Sequence, residues 1–578
     1  MSGSERSGRV ARVAGPLVEV ESLGSVSMFE LVEVGSAGAP GEIVAITPDH
    51  VVVQVYEETA GLGVGDSATA SGRLLSVPLG PGLLGGIYDG LLRPLGQAPD
   101  LLVPGWDRAA GRGAARSWRF VPAVAEGTTV APGEVLGTVA QSVGLDFRAL
   151  VPPGARGTVR DLADGPVADD AVIARVGGTD VPLTSWWPVR HPRPVAGRLP
   201  ASAPLLTGQR AIDLLFPLAR GSTAAVPGGF GTGKTMLLQQ VAKWCDADVI
   251  VYVGCGERGN EMAEVLTEWP DLEDPRTGRS LSERTVIVVS TSNMPVMARE
   301  ASVYTGITIG EHFRDMGYAA VVIADSTSRW AQALREFAAR TGELPTEEGF
   351  PASLASTLAS FYERAGRVRT LGGDEADATI VAAVSPPGGD RTEPVTSHTQ
   401  RFVRGLWSLD RDLAAGRHYP AVSWRDSFSR DAEVAAAWHA TTGDDPDWPR
   451  RREDAIALLA QADELEPVVQ LVGREALPDE ERVVLLAAEL LREGVLQQNA
   501  LSPNDAVAGP GKQAALLDMV LTLRERAAAL VDRGVPAAII EEADLSEAVR
   551  VREEAGPDDA ASVTATTQRL TARLEALG

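Results

Sequence analysis

One segment constrains the fold of this chain more than any other: residues 222–244, which read STAAVPGGFGTGKTMLLQQVAKW. A short apolar strand runs into a glycine-rich turn, and the turn runs into a helix. The turn has the spacing GxxxxGK(S/T) in the strand–turn–helix context that is typical of a phosphate-binding loop. Its glycines let backbone N–H groups approach phosphate oxygens, and the helix N-terminus adds a positive dipole end. This context disfavours the alternative, a glycine turn with an incidental lysine.

The loop supplies the first candidate site residues. Lys234 is expected to neutralise charge on the β- and γ-phosphates, and the Thr235 hydroxyl is expected to ligate Mg²⁺. The other predicted nucleotide-binding residues of this segment are Gly228, Gly229, Phe230, Gly231, Thr232, Gly233 and Met236.

The apolar pattern around the loop predicts its sheet. Between about residues 205 and 424, helical segments separate the runs TAAV, DVIVYVG, RTVIVVS, AAVVIAD and ATIVAAV. Continuous apolar strands alternating with helices indicate a parallel sheet covered on both faces.

The pattern changes along the chain predict a multidomain α/β protein. Short β-rich runs favour an N-terminal β-barrel over residues 1–76, followed by a connection over 77–100. A Gly/Pro-punctuated stretch over 101–195 indicates a second β-rich domain, either a separate module or an insertion. The P-loop nucleotide-binding domain with its parallel sheet is expected over 196–430. A C-terminal helical domain is expected over 431–578, where Ala, Leu, Glu and Arg recur at helical spacing.

Composition disfavours some classes of function. The chain has 78 acidic and 53 basic residues, a net charge of -25, which disfavours nucleic acid as a partner because phosphate backbones need a positive field. Its two cysteines, Cys245 and Cys255, show neither a disulfide framework nor a zinc-ligand spacing. No apolar run reaches the ~18 residues of a membrane helix, and the N-terminus has no apolar signal core. The sequence therefore predicts a cytoplasmic location, with any membrane role exerted through partners.

Three further residues fit catalysis, each with an ordinary structural alternative. Asp325 ends the apolar run AAVVIAD and suits a magnesium-associated acid, or a cap of the next helix. Glu257 follows VIVYVGCG with Arg258 beside it, and suits a carboxylate that polarises the attacking water, or a glutamate in a surface turn. Tyr419 suits an adenine-stacking platform, although the pattern alone favours a core aromatic.

Five stretches resemble one known family. GCGERGNEM, DSTSRWAQALRE, EEGFPASLASTLASFYERAG, SPPGGDRTEPVT and LVGREALPDEERVVL…LQQNAL are similar to the catalytic A (alpha) subunit of vacuolar/archaeal-type rotary ATPases. The resemblance runs from GRVARVAGPLVEVE to about residue 505, and the stretches VPPGARGTV and WWPVRHPRPV resemble the extra domain of that subunit. It weakens over the last seventy or so residues.

The resemblance implies a function and roles for residues. The chain would hydrolyse or synthesise ATP, coupled through a central shaft to proton or sodium translocation across a membrane, as a proton-transporting two-sector ATPase does. Glu257 would activate water, Arg258 would reach the γ-phosphate, and Arg329 would line the site. Tyr419 would pack on adenine, which reverses the pattern-based preference, with Gln497 nearby in LQQNAL.

The same resemblance implies partners. A non-catalytic B subunit would alternate with this chain in a hexameric ring and would supply an arginine finger. Shaft and peripheral-stalk subunits would link the ring to a membrane sector, so the chain would lie peripherally on the cytoplasmic face. Residues 462–473, ADELEPVVQLVG, resemble the segment that leans on the shaft, or form a solvated acidic helix. The alternative functions are a hexameric helicase or secretion ATPase and a non-catalytic ring subunit.

Three positions depart from the family pattern. Gly229 stands where proline is common, Thr232 where serine or cysteine is common, and Leu501 where the adenine pocket commonly has phenylalanine. Glycine in place of proline predicts a more mobile empty loop. Thr232 excludes a cysteine-based redox switch at this loop.

Overall fold

A computed structural model describes residues 6–97, 116–142, 145–274, 277–443 and 445–578. The predicted start of the second β-rich domain, near residue 101, lies outside these ranges. The chain forms two compact units, each assembled from three segments. The first unit comprises residues 1–200, 247–382 and 393–399, and the second comprises 201–246, 383–392 and 400–578.

The first unit begins with a closed six-stranded antiparallel barrel. Burial alternates along its strands, and the inward valines and isoleucine form one apolar core that includes Val20, Val32 and Ile43. Closure pairs every edge of this sheet. The strands are Arg6–Ala14, Leu17–Glu21, Glu30–Val34, Ala39–Ile46, Val51–Val55 and Ser67–Leu74.

The second β-rich region of the first unit forms two four-stranded antiparallel sheets. One contains Ser117–Pro122, Val135–Ser142, Leu145–Leu150 and Gly165–Ala168. The other contains Thr129–Val130, Gly157–Arg160, Val172–Val176 and Thr179–Pro182. A ribbon of Ser76–Leu79 and Ser185–Pro188 pairs the segments that precede and follow this region.

The first unit also contains a mainly parallel sheet with fully buried central strands. Val249–Cys255 lies between Thr285–Ser290 and Ala319–Asp325, and the latter pairs in parallel with Glu375–Val384. The short strand Ile87–Tyr88 extends one edge, and Gly366–Arg369 with Gly197–Leu199 adds an antiparallel pair. The helices that follow these strands are Gly259–Glu268, Val296–Asp315, Thr327–Thr341 and Leu354–Tyr362, with Pro394–Phe402 beginning in this unit.

The second unit holds the phosphate-loop strand Thr223–Pro227, which pairs in parallel with Gly405–Leu406. Phe428–Ser429 pairs antiparallel with Gly405–Leu406, and Pro204–Leu205 pairs with Leu218–Ala219. The short helix Arg411–Ala415 lies between these elements in sequence. The loop helix itself is Lys234–Trp244.

The rest of the second unit is helical, as predicted for the C-terminal domain. Alanines and leucines of these helices are buried, among them Leu458, Leu491, Leu517 and Leu570. The helices are Ala432–Thr441, Trp448–Val472, Asp479–Leu491, Pro510–Asp532, Ala537–Glu541, Ser546–Glu554 and Ala560–Glu575.

The predicted fold class is confirmed, including the barrel, the second β-rich region and the helical C-terminal domain. Each of the five apolar runs forms a strand. The predicted domain boundaries stay predictions. None of the helices in the described ranges combines the length and apolar content that a bilayer crossing requires.

Candidate active site residues

The phosphate loop depends on glycine at specific positions. Gly231 and Gly233 adopt φ values of 78° and 86°, in the left-handed region that other residues rarely occupy. A Cβ atom on Gly228 would lie 2.6 Å from the Thr232 hydroxyl oxygen and 3.0 Å from Leu409 Cβ. Local geometry therefore explains three of the four loop glycines. A Cβ on Gly229 would instead meet the Arg411 guanidinium at 3.0 Å.

Lys234 folds back onto its own loop. Its Nζ atom donates to the carbonyl oxygens of Gly228 at 2.8 Å and Gly229 at 2.9 Å. The buried Thr232 hydroxyl also donates to the Gly229 carbonyl, at 2.9 Å. These bonds hold the loop closed around the ammonium group, at the position predicted to take phosphate oxygens.

Tyr419 contacts the loop, and its ring is not part of the core. The side chain is 42% exposed, and a Cβ on Gly233 would lie 3.3 Å from Tyr419 Cε1. The pattern-based preference for a core aromatic is therefore wrong. Gln498 donates its backbone N–H to the Tyr419 carbonyl at 2.7 Å, and Gln497 Nε2 donates to the Arg417 carbonyl at 3.3 Å.

Three large apolar residues of the second unit, two of them in the loop segment, are exposed. Phe230, Met236 and Leu501 are 85%, 50% and 91% exposed. The second unit thus presents the phosphate loop, Tyr419 and a set of exposed apolar side chains together.

The predicted catalytic carboxylates lie together in the first unit. The register of two parallel strands places Gly254 opposite Asp325, so Glu257 follows its strand close to the end of the neighbouring one. Asp325 is buried, and its Oδ2 atom accepts a hydrogen bond from the Tyr252 hydroxyl at 3.1 Å. Glu261, in the first turn of the helix Gly259–Glu268, adds a third carboxylate.

The surroundings of Glu257 oppose its ionisation. Burial raises its pKa most, followed by the negative charge of Asp325 and the hydrogen bond with Glu261, whereas the Arg329 charge lowers it; the resulting pKa is about 8. A pKa near neutrality suits a group that exchanges a proton with water during hydrolysis.

The two predicted arginines differ in their surroundings. Arg329, in the helix Thr327–Thr341, packs against Gly256, where a Cβ would lie 2.7 Å from Arg329 Cβ, and it donates to Gln332 Oε1 at 3.1 Å. Arg258 is exposed at the N-terminus of the helix Gly259–Glu268. Sequence reasoning missed two residues of these groups, Glu261 and Arg411. The spacing of Glu261 from Glu257 was a usable signal, whereas nothing local indicates that Arg411 reaches the loop.

The structure therefore groups the predicted residues in two sets. The second unit brings together the loop from Gly228 to Met236, Tyr419 and Gln497, and the first brings together Glu257, Asp325 and Arg329. Among the described residues no cluster of three or more His, Cys, Asp or Glu side chains suits a metal cage. Each set nevertheless contains an oxygen donor of the type that Mg²⁺ takes, a threonine hydroxyl in the second unit and a carboxylate in the first.

Fold and residues together define a P-loop protein of the ATP synthase alpha/beta class. The nucleotide-binding domain model of the ATP synthase alpha/beta family matches residues 208–429, and that family's beta-barrel domain model matches 10–72. The barrel-sandwich domain model of the ATP synthase alpha/beta subunit matches 113–190, and the model of the C-terminal domain of V and A type ATP synthase matches 439–540.

Individual relatives narrow the class. The V-type ATP synthase alpha chain of Nitrosococcus oceani is 51% identical over 92% of this chain and 91% of its own length. The V-type ATP synthase alpha chain of Anaeromyxobacter sp. strain K is 50% identical over 99% of this chain and 100% of its own length. The A subunit of the A-type ATP synthase of Methanopyrus kandleri is 49% identical over 93% of this chain and 92% of its own length.

A solved structure shares the fold at lower identity. The ATPase EscN of the type III secretion system of enteropathogenic E. coli superposes with a TM-score of 0.64 at 21% identity, covering 89% of this chain and 99% of EscN. The chain belongs to the family of V-type ATP synthase alpha chains and their A-type counterparts, the catalytic subunits of rotary ATPases. The non-catalytic and secretion-ATPase alternatives are not favoured.

Proposed function

We propose that Glu257 polarises the water that attacks the γ-phosphate of ATP, and that the other predicted residues bind and stabilise the triphosphate. The observation that carries this proposal is the register of the parallel strands, which places Glu257 beside the buried Asp325, where its surroundings raise its pKa to about 8. A carboxylate near its pKa at working pH both orients water and takes a proton from it.

The remaining residues have binding and electrostatic roles. Lys234 leaves its two loop carbonyls and neutralises the β- and γ-phosphates, and loop N–H groups donate to phosphate oxygens. Arg258 and Arg329 add positive charge near the phosphates. Tyr419 stacks on adenine beside Gln497, and its exposed face in the structure supports that role.

The Thr235 hydroxyl and the Asp325 carboxylate are the oxygen donors proposed for Mg²⁺, the latter through water. When bound, this ion neutralises charge on the phosphates and helps to orient them. The departures at Gly229, Thr232 and Leu501 remove none of these proposed groups.

The proposed partners follow from the family. A non-catalytic B subunit supplies an arginine finger in an alternating hexameric ring, and shaft and stalk subunits connect the ring to the cytoplasmic face of a membrane. Exposed Val468, Leu471 and Val472 at the end of the helix Trp448–Val472 support a contact with the shaft, because they offer apolar surface. Co-purification with a homologous subunit that lacks the loop lysine tests the ring.

Replacing Glu257 by glutamine tests the catalytic proposal. In the reconstituted ring we expect Glu257→Gln to reduce steady-state ATP hydrolysis ~10²-fold or more, because the amide cannot accept the proton. Nucleotide binding, measured by fluorescence titration, is expected to persist.

Glu134→Gln is the matched control, because Glu134 is exposed in the second β-rich region, and it should turn over normally. Undiminished hydrolysis by Glu257→Gln would refute the role of Glu257. A wild-type ring that binds ATP without hydrolysing it would instead support a non-catalytic role.

A further inference from the structure

A cavity of about 200 Å³ in the first unit has several arginine side chains in its wall. Its walls come from residues 190–198, which follow the second β-rich region, and from the helices Val296–Asp315 and Leu354–Tyr362 with the turn after the latter. This volume far exceeds the ~10–15 Å³ that admits one water molecule. Five arginines line it: Arg190, Arg193, Arg198, Arg314 and Arg364.

Two of these arginines form close ion pairs with glutamates. Arg190 donates to Glu42 and to Glu300, at 3.0 Å and 2.7 Å. Arg364 pairs with Glu311 at 2.5 Å. Their charges are largely compensated within the protein, so they form the framework of the cavity.

Arg193 is compensated incompletely. Its Nε atom donates to Asp315 Oδ2 at 2.6 Å, but Arg314 also donates to Asp315, at 2.7 Å. The Arg193 side chain is only 8% exposed, and its buried Nη1 atom has no hydrogen-bond partner within the described chain. A buried charged donor without an acceptor is costly, and Arg193 lines the cavity, so an acceptor that enters the cavity and reaches the Arg193 guanidinium is favoured.

The positive charge of Arg198 is also compensated incompletely. Its guanidinium donates to the backbone carbonyls of Ala365 and Glu363, and a carbonyl satisfies a hydrogen bond without neutralising the charge. The opposing charges in the cavity wall are Glu311, engaged with Arg364, and the exposed Glu363. An anion therefore gains attraction from Arg193 and Arg198 and meets repulsion chiefly from Glu363.

We propose that this cavity binds a small tetrahedral oxyanion of the phosphate class, which accepts a hydrogen bond from the Arg193 guanidinium and is attracted by Arg198. The planar guanidinium fork matches phosphate oxygens, and hydrogen bonds between two charged groups are about twice as strong as neutral ones. A water molecule can accept from Arg193 but leaves its charge uncompensated. The site shares no residue with the phosphate loop.

Titration calorimetry with inorganic phosphate tests the proposal. The full chain carries Lys234→Ala, which removes the main phosphate ligand of the loop, and chloride holds the ionic strength constant. We expect one saturable site, about tenfold weaker after Arg193→Ala because a charge-assisted bond is lost. Glu363→Gln is expected to tighten binding severalfold, because it removes the repulsive charge from the wall.

Arg340→Ala is the matched control, because Arg340 is exposed on the helix Thr327–Thr341 and should leave the affinity unchanged. Glu363→Gln keeps the test decisive if Arg193→Ala does not fold, because the glutamate is exposed. The proposal is overturned if phosphate gives no saturable binding, if Arg193→Ala binds like Arg340→Ala, or if Glu363→Gln binds like the parent.

A phosphate monoester, titrated in the same way, distinguishes two sources of the anion. Weaker binding of the ester assigns the site to free phosphate. Equal binding assigns it to the phosphoryl group of a larger ligand, and both results support the oxyanion site.

Discussion

Glu257 owes its raised pKa first to burial and then to two carboxylates that lie close to it, Asp325 and Glu261. Asp325 is 68 positions away in sequence, yet it ends the strand that neighbours the one preceding Glu257. Glu261 is one helical turn away and shares a hydrogen bond with Glu257. The proton affinity of the proposed base is therefore adjustable at a residue that is not itself proposed to touch the substrate.

Replacing Glu261 by glutamine should lower the pKa of Glu257 from about 8, because it removes one negative charge and weakens a hydrogen bond to the protonated acid. A base must be deprotonated to act, so activity rises with pH through its pKa. We therefore expect the acid limb of kcat/KM for ATP hydrolysis to move to lower pH in Glu261→Gln, measured over about pH 5 to 9.

Glu283→Gln provides the comparison for this pH profile, since Glu283 lies elsewhere in the same unit and pairs with Arg279. Its profile should overlay that of the wild type. An unchanged acid limb in Glu261→Gln would show that another group limits hydrolysis at low pH.

The predictability of single residues depends on how local their signal is. The loop from Gly228 to Thr235 was predictable because one short motif specifies backbone, charge and hydroxyl together. Arg411 was not, because it reaches Gly229 across 182 positions and no periodicity reports such a contact.

At the scale of elements, the second-last helix, Ser546–Glu554, stabilises the loop after Leu496. Arg552 donates to the Gln497 carbonyl at 3.0 Å and to Asp505 Oδ2 at 2.9 Å. Arg210, fully buried, donates to the same carbonyl and to Asp505 Oδ1, both at 2.6 Å. The helix Ser546–Glu554 therefore helps to hold the backbone of Gln497, a proposed adenine-pocket residue.

Replacing Arg552 by alanine should loosen this loop, because it removes one of the two arginines that pair with Asp505, and a hydrogen bond to a charged group contributes about 1.5–3 kcal/mol. We expect a higher KM for ATP with a smaller change in kcat, together with a lower melting temperature. Steady-state kinetics of the reconstituted ring and thermal unfolding of the chain measure the two effects.

Arg550→Ala serves as the control, since Arg550 lies on the same helix, is exposed and pairs only weakly with Glu554, at 3.6 Å. It should match the wild type in both measurements. A KM for Arg552→Ala equal to that of Arg550→Ala would show that the helix Ser546–Glu554 contributes to packing and not to ATP binding.

The long elements were predictable because burial dictates their pattern. The strands Val249–Cys255 and Ala319–Asp325 are apolar almost throughout, as strands covered on both faces must be. Two-residue strands such as Ile87–Tyr88 and Gly405–Leu406 are too short to show an alternation of apolar and polar residues. They are recognisable as strands only from the neighbouring strands with which they pair.

At the scale of the whole molecule, the barrel is continuous in sequence and has no open edge. A fragment of residues 1–76 is therefore expected to fold alone, giving β-type circular dichroism and cooperative thermal unfolding. This experiment also tests the predicted boundary at residue 76.

Val20→Asp is the companion variant, because Val20 is fully buried in the barrel core, and a buried unpaired charge should abolish the transition. A wild-type fragment without a cooperative transition would show that the barrel needs the remainder of its unit.

The division of each unit into three segments has a consequence for synthesis on the ribosome. The barrel strands are complete once residue 74 has emerged, but the first unit awaits residues 393–399. By then the ribosome has already made residues 201–246, including the phosphate loop, whose unit awaits the C-terminus. The phosphate loop and the strands of the mainly parallel sheet therefore leave the ribosome well before their units are complete. At ~5–20 residues per second, they are exposed to aggregation and to chaperones during that interval.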